Sequence, residues 1–225
     1  TDVSRDGRSI LFAGGTGPFT AYLRGVTARQ APVRLGDGLP LSLSPDGAWA
    51  LVDGTEGHVL LPTGTGQPRR FPFQPLARVF PRSSFWTPDS THFVFAASDG
   101  PGPARCFMQS VDREDAPRPV TPGGVAFCTA PSPDGRLFFI NRTTVFDLER
   151  GEKRTLPGLT EAGEPVTWND DGSAVFVTEA ESPSVSRIVR VDQPSGRRTV
   201  IRELRAAGPI GGAAGGISTV RMSAD

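Results

Sequence analysis

Apolar residues in this chain come in short bursts joined in pairs across a polar break, without the i, i+3, i+4 spacing of an amphipathic helix. The clearest pair is Leu41-Ser42-Leu43, then Ser44-Pro45-Asp46-Gly47, then Ala48-Trp49-Ala50-Leu51-Val52. It reads as strand, tight turn, strand. The pattern recurs around Ser4-Arg5-Asp6-Gly7, Thr87-Pro88-Asp89-Ser90, Ser132-Pro133-Asp134-Gly135 and Asn169-Asp170-Asp171-Gly172, and Val220-Arg221-Met222-Ser223-Ala224-Asp225 opens a sixth copy. The turn aspartates at 6, 46, 89, 134, 171 and 225 are 40, 43, 45, 37 and 54 residues apart.

A period near forty with strand-type alternation suits one propeller blade per repeat. Each pair of strands is followed by a third apolar stretch, such as His58-Val59-Leu60-Leu61 or Ile188-Val189-Arg190-Val191. A fourth, shorter stretch carries an arginine in every copy: Arg34, Arg70, Arg118, Arg154 and Arg198. Charge on an outer strand discourages pairing with other molecules. The expectation is an all-β chain, a β-propeller of four-stranded antiparallel blades. It has five full repeats (approximately 1–40, 41–83, 84–128, 129–164 and 165–216) and a partial sixth at 217–225, within one domain spanning 1–225.

The turn has a physical reading. Ser bonds the turn backbone, Pro pre-sets φ, Asp suits the third position and Gly accepts the left-handed conformation. At Ser90, where glycine is replaced, the turn is expected to be strained or differently shaped.

These copies resemble the WD-like repeats of TolB-type β-propellers, whose signature is an apolar or aromatic strand, Ser-Pro-Asp-Gly, and a second apolar strand. More narrowly, Asp2-Val3-Ser4-Arg5-Asp6-Gly7-Arg8, Tyr22-Leu23-Arg24, Val33-Arg34-Leu35-Gly36 and Gly216-Ile217-Ser218 are similar to propellers C-terminal to bacterial serine/threonine kinase domains. The resemblance implies binding without catalysis, in a sensor or protein-interaction role. It also implies placement outside the cytoplasm, because TolB-type proteins are periplasmic and kinase-attached propellers commonly follow a membrane span. Because the chain begins and stops within the same innermost-strand motif, residues are expected to be missing at one or both ends, from a ring of six or more blades.

Composition narrows the picture. The 27 glycines and 22 prolines make up about twice the usual share, and they fall between the apolar bursts as turn punctuation. Twenty-four basic and 24 acidic residues cancel without a block of one sign, so no nucleic-acid or anionic-membrane footprint is present. No apolar run approaches the ~18 residues of a membrane helix. Cys106 and Cys128 fit no metal-ligand spacing and suit either one bridge in an exported protein or two buried thiols; the expectation is two buried thiols.

The chain contains no GxSxG elbow and no kinase VAIK, HRD or DFG element. His58 and His92, the only histidines, read as structural strand residues, and no DxDxDG calcium loop is present. Neither a metal nor a cofactor is expected. Gly14-Gly15-Thr16-Gly17, Gly64-Thr65-Gly66 and the run from Gly211 to Gly216 precede no Lys-Ser/Thr pair and read as loops. Ile201 to Ala207 is the sole helical candidate. Trp49, Trp86, Trp168, Phe12, Phe95 and Phe138, placed alike beside the turns, are expected to pack between blades.

Propellers bind through the loops that enter each innermost strand and those between second and third strands. The first set here is Gly36–Pro40, Phe80–Ser83, Gly124–Phe127 and Glu161–Pro165; the second is Ala13–Thr20, Ser98–Arg105 and Glu179–Ser186. Their candidate binding residues are Phe80, Arg82, Asp99, Arg105, Phe127, Glu161, Glu164, Glu179 and Glu181. The expected partner is a protein or a small-molecule ligand. The rival reading is a propeller accessory to an enzyme, gating a hydrolase or carrying an axial lyase or lactonase site. A free TolB-like envelope protein is the third.

Overall fold

The computed structural model describes residues 2–27, 31–113, 115–182 and 184–205, the side chains of Pro81 and Arg82 excepted. The sixth copy and the glycine run from 211 lie outside the described residues. Two compact units divide the chain, one formed by residues 1–128 and one beginning at Thr129.

The first unit holds three blades, each an antiparallel sheet in chain order. Blade one is β1 (Asp2–Val3), β2 (Ser9–Gly14), β3 (Thr20–Gly25) and β4 (Val33–Asp37). Blade two is β5 (Leu39–Leu43), β6 (Trp49–Asp53), β7 (Gly57–Pro62) and β8 (Arg69–Pro72). Blade three is β9 (Arg78–Trp86), β10 (His92–Ser98), β11 (Arg105–Ser110) and β12 (Arg118–Pro119). The second unit holds β13 (Leu137–Phe139), β14 (Thr144–Asp147) and β15 (Glu152–Thr155), followed by β16 (Gly163–Trp168), β17 (Ala174–Ser182), β18 (Val185–Asp192) and β19 (Arg198–Arg205). The expected β-propeller architecture is present. In blade four the innermost strand is reduced to a single bridge, Thr129 with Phe139. Ala130, next along, takes a left-handed φ of 45°, which ends the pairing.

The turns explain why the repeat is written as it is. In blade two the Ser44 hydroxyl donates to the Asp46 carboxylate (2.5 Å), which accepts the Ala48 amide (3.0 Å). The same hydroxyl accepts the Trp49 amide (2.9 Å), and Gly47, at φ 71°, donates its amide to the Ser44 carbonyl (2.8 Å). Ser4/Asp6, Thr87/Asp89 and Ser132/Asp134 repeat the first bond at 2.6, 2.6 and 2.5 Å. In blade five the Asn169 side-chain amide donates to Asp171 (2.6 Å) in place of a hydroxyl. Ser90 keeps the shape of the glycine turns by accepting φ 61°, so the turn is strained and not reshaped.

The cores lie between sheets. Leu41, Leu51, Leu60, Phe71, Trp86, Phe93, Phe95 and Phe107 form one cluster joining blades two and three. Leu11, Leu43, Val52, Val59 and Leu61 join blades one and two. Burying a ring such as Phe93 contributes roughly 2–3 kcal/mol. Trp86 and Phe95 pack between blades as expected, and Phe139 meets Trp168 at 5.9 Å between blades four and five. Phe12 and Phe138 instead meet cross-strand partners within their own blades, Tyr22 and Phe146, both at 5.8 Å.

Three further expectations change. The segment from Ile201 is strand, not helix: β19 pairs with β18 through Arg205, while 206 and 207 lie outside the described residues. Cys106 and Cys128 are bridged to each other, with Cα atoms 6.1 Å apart, and are not free thiols. Several expected loops are strand, as set out below. No helix of the described residues is long and apolar enough to cross a membrane.

Candidate functional site

Antiparallel pairing puts the Ser-Pro-Asp-Gly-type turns at one end of each sheet and the second-to-third hairpins, with the entries to innermost strands, at the other. Carboxylates with lowered pKa lie at the turn ends of their own sheets. Asp6, Asp89 and Asp134 are held below the usual carboxylate range chiefly by the hydroxyls of Ser4, Thr87 and Ser132, and Asp171 by Ser173. Asp147 and Asp192 are lowered chiefly by hydrogen bonds from Arg136 and Arg190. Each shift favours a fixed, ionised, structural carboxylate. A shallow concavity of about 330 Å³ also lies at this end, lined by Ser4, Arg5, Asp6, Pro45 and Asp46. Its aspartates are already bonded within their turns.

Each of the nine candidate binding residues belongs to the opposite end of its own blade. In the first unit, Phe80 and Arg82 are strand residues of β9 rather than loop. Ser84 pairs with Phe95 and Val79 with Ala97, so Phe80–Ser83 stand opposite Ala96 alone in a wide bulge. Blades two and five carry only one extra residue at the matching place, Leu41 and Val166. A proline flanks or occupies each bulge (Pro40, Pro81 and Pro165), the kind of place where a strand tolerates a missing N–H. The Arg78 guanidinium lies 4.6 Å over the Phe80 ring.

Arg105 opens β11, not a loop, and faces Asp99 across 3.8 Å. Its Nε is buried without a hydrogen-bond partner. Phe127 is half-buried on an irregular segment, and the amide of the next residue, Cys128, donates to Ser83 Oγ at 2.7 Å. Arg82 and Phe127 are thus each one residue from the same hydrogen bond, although 45 positions separate its two partners. The Gly124 and Val125 amides both reach the Ala104 carbonyl, beside Arg105. The first-unit candidates therefore sit on segments bonded to one another.

In the second unit, Glu164 is on β16, and Glu179 and Glu181 are on β17; Glu161 is in the turn before β16. Arginines outside the candidate binding set meet these acids. Arg198 donates to Glu179 at 2.5 Å and to the Gly158 carbonyl at 2.7 Å, and Thr160 adds a second donor to Glu179 at 3.2 Å. Arg187 pairs with Glu181 at 2.8 Å. Arg142 reaches Glu164 at 3.7 Å and the Glu161 carbonyl at 3.2 Å. Such exposed pairs contribute about 0–1 kcal/mol each, so their main effect is to present alternating charge on a fixed surface. Among the described residues no three His, Cys, Asp or Glu side chains converge in a metal-binding arrangement.

The architecture has solved counterparts. TolB from Acinetobacter baumannii superposes with a TM-score of 0.67 at 16% identity, over 88% of this chain and 53% of that one. The fold is that of a TolB-like β-propeller. A putative TolB from Agrobacterium tumefaciens matches at TM-score 0.54 and 14% identity, covering 81% of this chain and 85% of that one. An oligogalacturonate lyase in complex with manganese matches at 0.64 and 15%, covering 92% and 65%. At these identities the likeness concerns the fold alone. The chain spans about half the length of the first TolB. No protein-family model matches the chain, and no curated protein matches it.

Proposed function

We propose that this TolB-like propeller is a non-catalytic sensor or protein-interaction domain of a bacterial signalling protein, and that it binds its partner at the end opposite the repeat turns. The observation that carries this reading is the Cys128–Ser83 hydrogen bond, which fixes the segments bearing Arg82 and Phe127 side by side on a packed blade. Recognition residues held on a rigid sheet end lose little freedom on binding. The paired glutamates and arginines of the second unit suit the polar rim of a protein interface. Placement outside the cytoplasm is part of the proposal, supported by the Cys106–Cys128 bridge, since disulfides persist in oxidising compartments.

The test is capture of envelope proteins on the immobilised chain, repeated with Phe80→Ala/Phe127→Ala and with Arg34→Ala on the outer edge of blade one. Specific capture lost in the first variant and kept in the second supports the reading. Capture unaffected by Phe80→Ala/Phe127→Ala places the binding face elsewhere. Turnover of oligogalacturonate in the presence of manganese would show catalysis and overturn the non-catalytic assignment.

A further inference from the structure

The outermost strands of blades one, two, four and five have 5, 4, 4 and 8 residues; that of blade three has 2. The chain then runs from Val120 to Cys128 as a strap without strand pairing. One residue of β11 holds that strap by three different atoms. The Cys106 carbonyl accepts the Val120 amide at 2.8 Å, and the Cys106 amide donates to Thr121 Oγ1 at 2.8 Å. Cys106 Sγ is bonded to Cys128, at the strap's far end. Further ties are the Gly124 and Val125 amides on Ala104, at 3.0 and 3.1 Å, and Cys128 on Ser83.

We infer that oxidation of Cys106 and Cys128 sets this strap, so that the blade-three part of the binding face exists in ordered form only in the bridged chain; the inference rests on the binding role proposed above. The physical case is one of chain entropy. Ladder bonds that order the outer strand elsewhere are missing here, and Pro122, Gly124 and Ala126 are exposed. Thr121 and Val125 are buried between these exposed positions, but hydrogen bonds outside a ladder, on a partly exposed segment, open more readily than those within a sheet. A covalent link across 22 residues removes most of the conformations that opening would gain.

In the oxidation step the two thiols lose two protons and two electrons as the Sγ–Sγ bond forms. A low-molecular-weight disulfide such as oxidised glutathione accepts both, its own S–S bond breaking to give two thiols. Both cysteines are fully buried once bridged, so attacking thiolates are excluded. The bond acts as a one-time maturation step and not as a reversible switch.

Amide hydrogen exchange on the bridged chain, on Cys106→Ala/Cys128→Ala, and on wild type refolded in reduced glutathione tests this. In both bridge-free forms Gly124 and Val125 are expected to exchange at least about tenfold faster, while Leu51 and Leu60 in blade two keep their protection. Equal rates at Gly124 and Val125 with and without the bridge would overturn the inference. So would loss of protection at Leu51 and Leu60 as well, or failure of both bridge-free forms to fold, because the bridge would then be a global staple. The readout needs no partner, so its failure is distinct from a failure of capture, which bears on the binding role.

Discussion

Ser90 Oγ accepts a hydrogen bond from the Asp46 amide at 3.1 Å, tying the turn of blade three to the turn of blade two. The side chain that breaks the glycine rule is thus the one that reaches the neighbouring blade. Holding serine at φ 61° costs about 1 kcal/mol, and the bond returns a similar amount. Ser90→Ala keeps the strain and orphans the Asp46 amide, so it is expected to destabilise by about 1–2 kcal/mol. Ser90→Gly loses the bond but relieves the strain, and is expected to fall within about 1 kcal/mol of wild type. Urea unfolding midpoints give the order; Ser90→Ala as stable as wild type would show that the inter-turn bond contributes nothing, and Ser90→Ala matching Ser90→Gly would show that the φ of 61° costs nothing.

The turn aspartates set an acid limit. Asp6, Asp89, Asp134 and Asp171 have folded pKa values below the ordinary aspartate range, each chiefly through a hydroxyl hydrogen bond. A lowered folded pKa means that the unfolded chain takes up protons first. The stabilisation is therefore complete above the unfolded pKa and is lost as pH falls through the folded values. Melting temperature is expected to stay level from neutral pH down to about pH 4 and then to drop, insofar as these groups govern it. Asp134→Asn is expected to melt lower at pH 6 yet to lose less on going to pH 2, which thermal melts at the two pH values compare directly.

Trp168 supports the weakest point of the repeat. Its Nε1–H donates to the Ala130 carbonyl at 3.0 Å, at the residue whose left-handed φ ends strand pairing in blade four. Trp168→Phe keeps most of the ring and removes the donor, leaving a buried carbonyl unmatched. The expected loss is about 1–2 kcal/mol, against about 3–5 kcal/mol for Trp168→Ala, where a cavity is added. Denaturant melts followed by circular dichroism separate the two; Trp168→Phe as stable as wild type would mean that the hydrogen bond carries no weight.

The repeat was legible because one local device, a hydroxyl or amide bonding an aspartate two residues on, is written in contiguous residues. Signals spread through the chain were not. Pro81 reads as a strand breaker, but it sits in a bulge that lets β9 continue past Phe80–Ser83. Arg202-Glu203-Leu204-Arg205 are helix formers by propensity, and the register with β18 overrides that preference. Cys106 and Cys128 have no spacing motif; only the strap's path over β11 brings them together. Glu161, Glu164, Glu179 and Glu181 stand out in the sequence as charges near strand ends, while their pairing with Arg142, Arg187 and Arg198 is not legible there, because cross-strand or inter-segment geometry makes them partners.

His58 offers the sharpest separation of stability from function. It is 3% exposed on β7, with the Phe73, Phe93 and Phe95 rings 5.0, 5.6 and 4.7 Å away in near-perpendicular contact. Its Nδ1 is 3.3 Å from Asp53 Oδ1, yet neither ring nitrogen forms a well-aligned hydrogen bond, and Asp53 Oδ1 is likewise unmatched. Distance and alignment disagree here, and alignment decides, because a bent contact recovers little of the desolvation cost. A phenylalanine would fill nearly the same space, keep the edge-to-face contacts and bury no ring nitrogen. His58→Phe/Asp53→Ser is therefore expected to match or exceed wild-type stability, within about 1 kcal/mol, in urea unfolding. A loss of 2 kcal/mol or more would show that the His58–Asp53 pair contributes net stability to the folded chain. Unchanged or raised stability with weakened partner capture would assign the buried pair to the binding end, where Asp53 closes the β6–β7 hairpin.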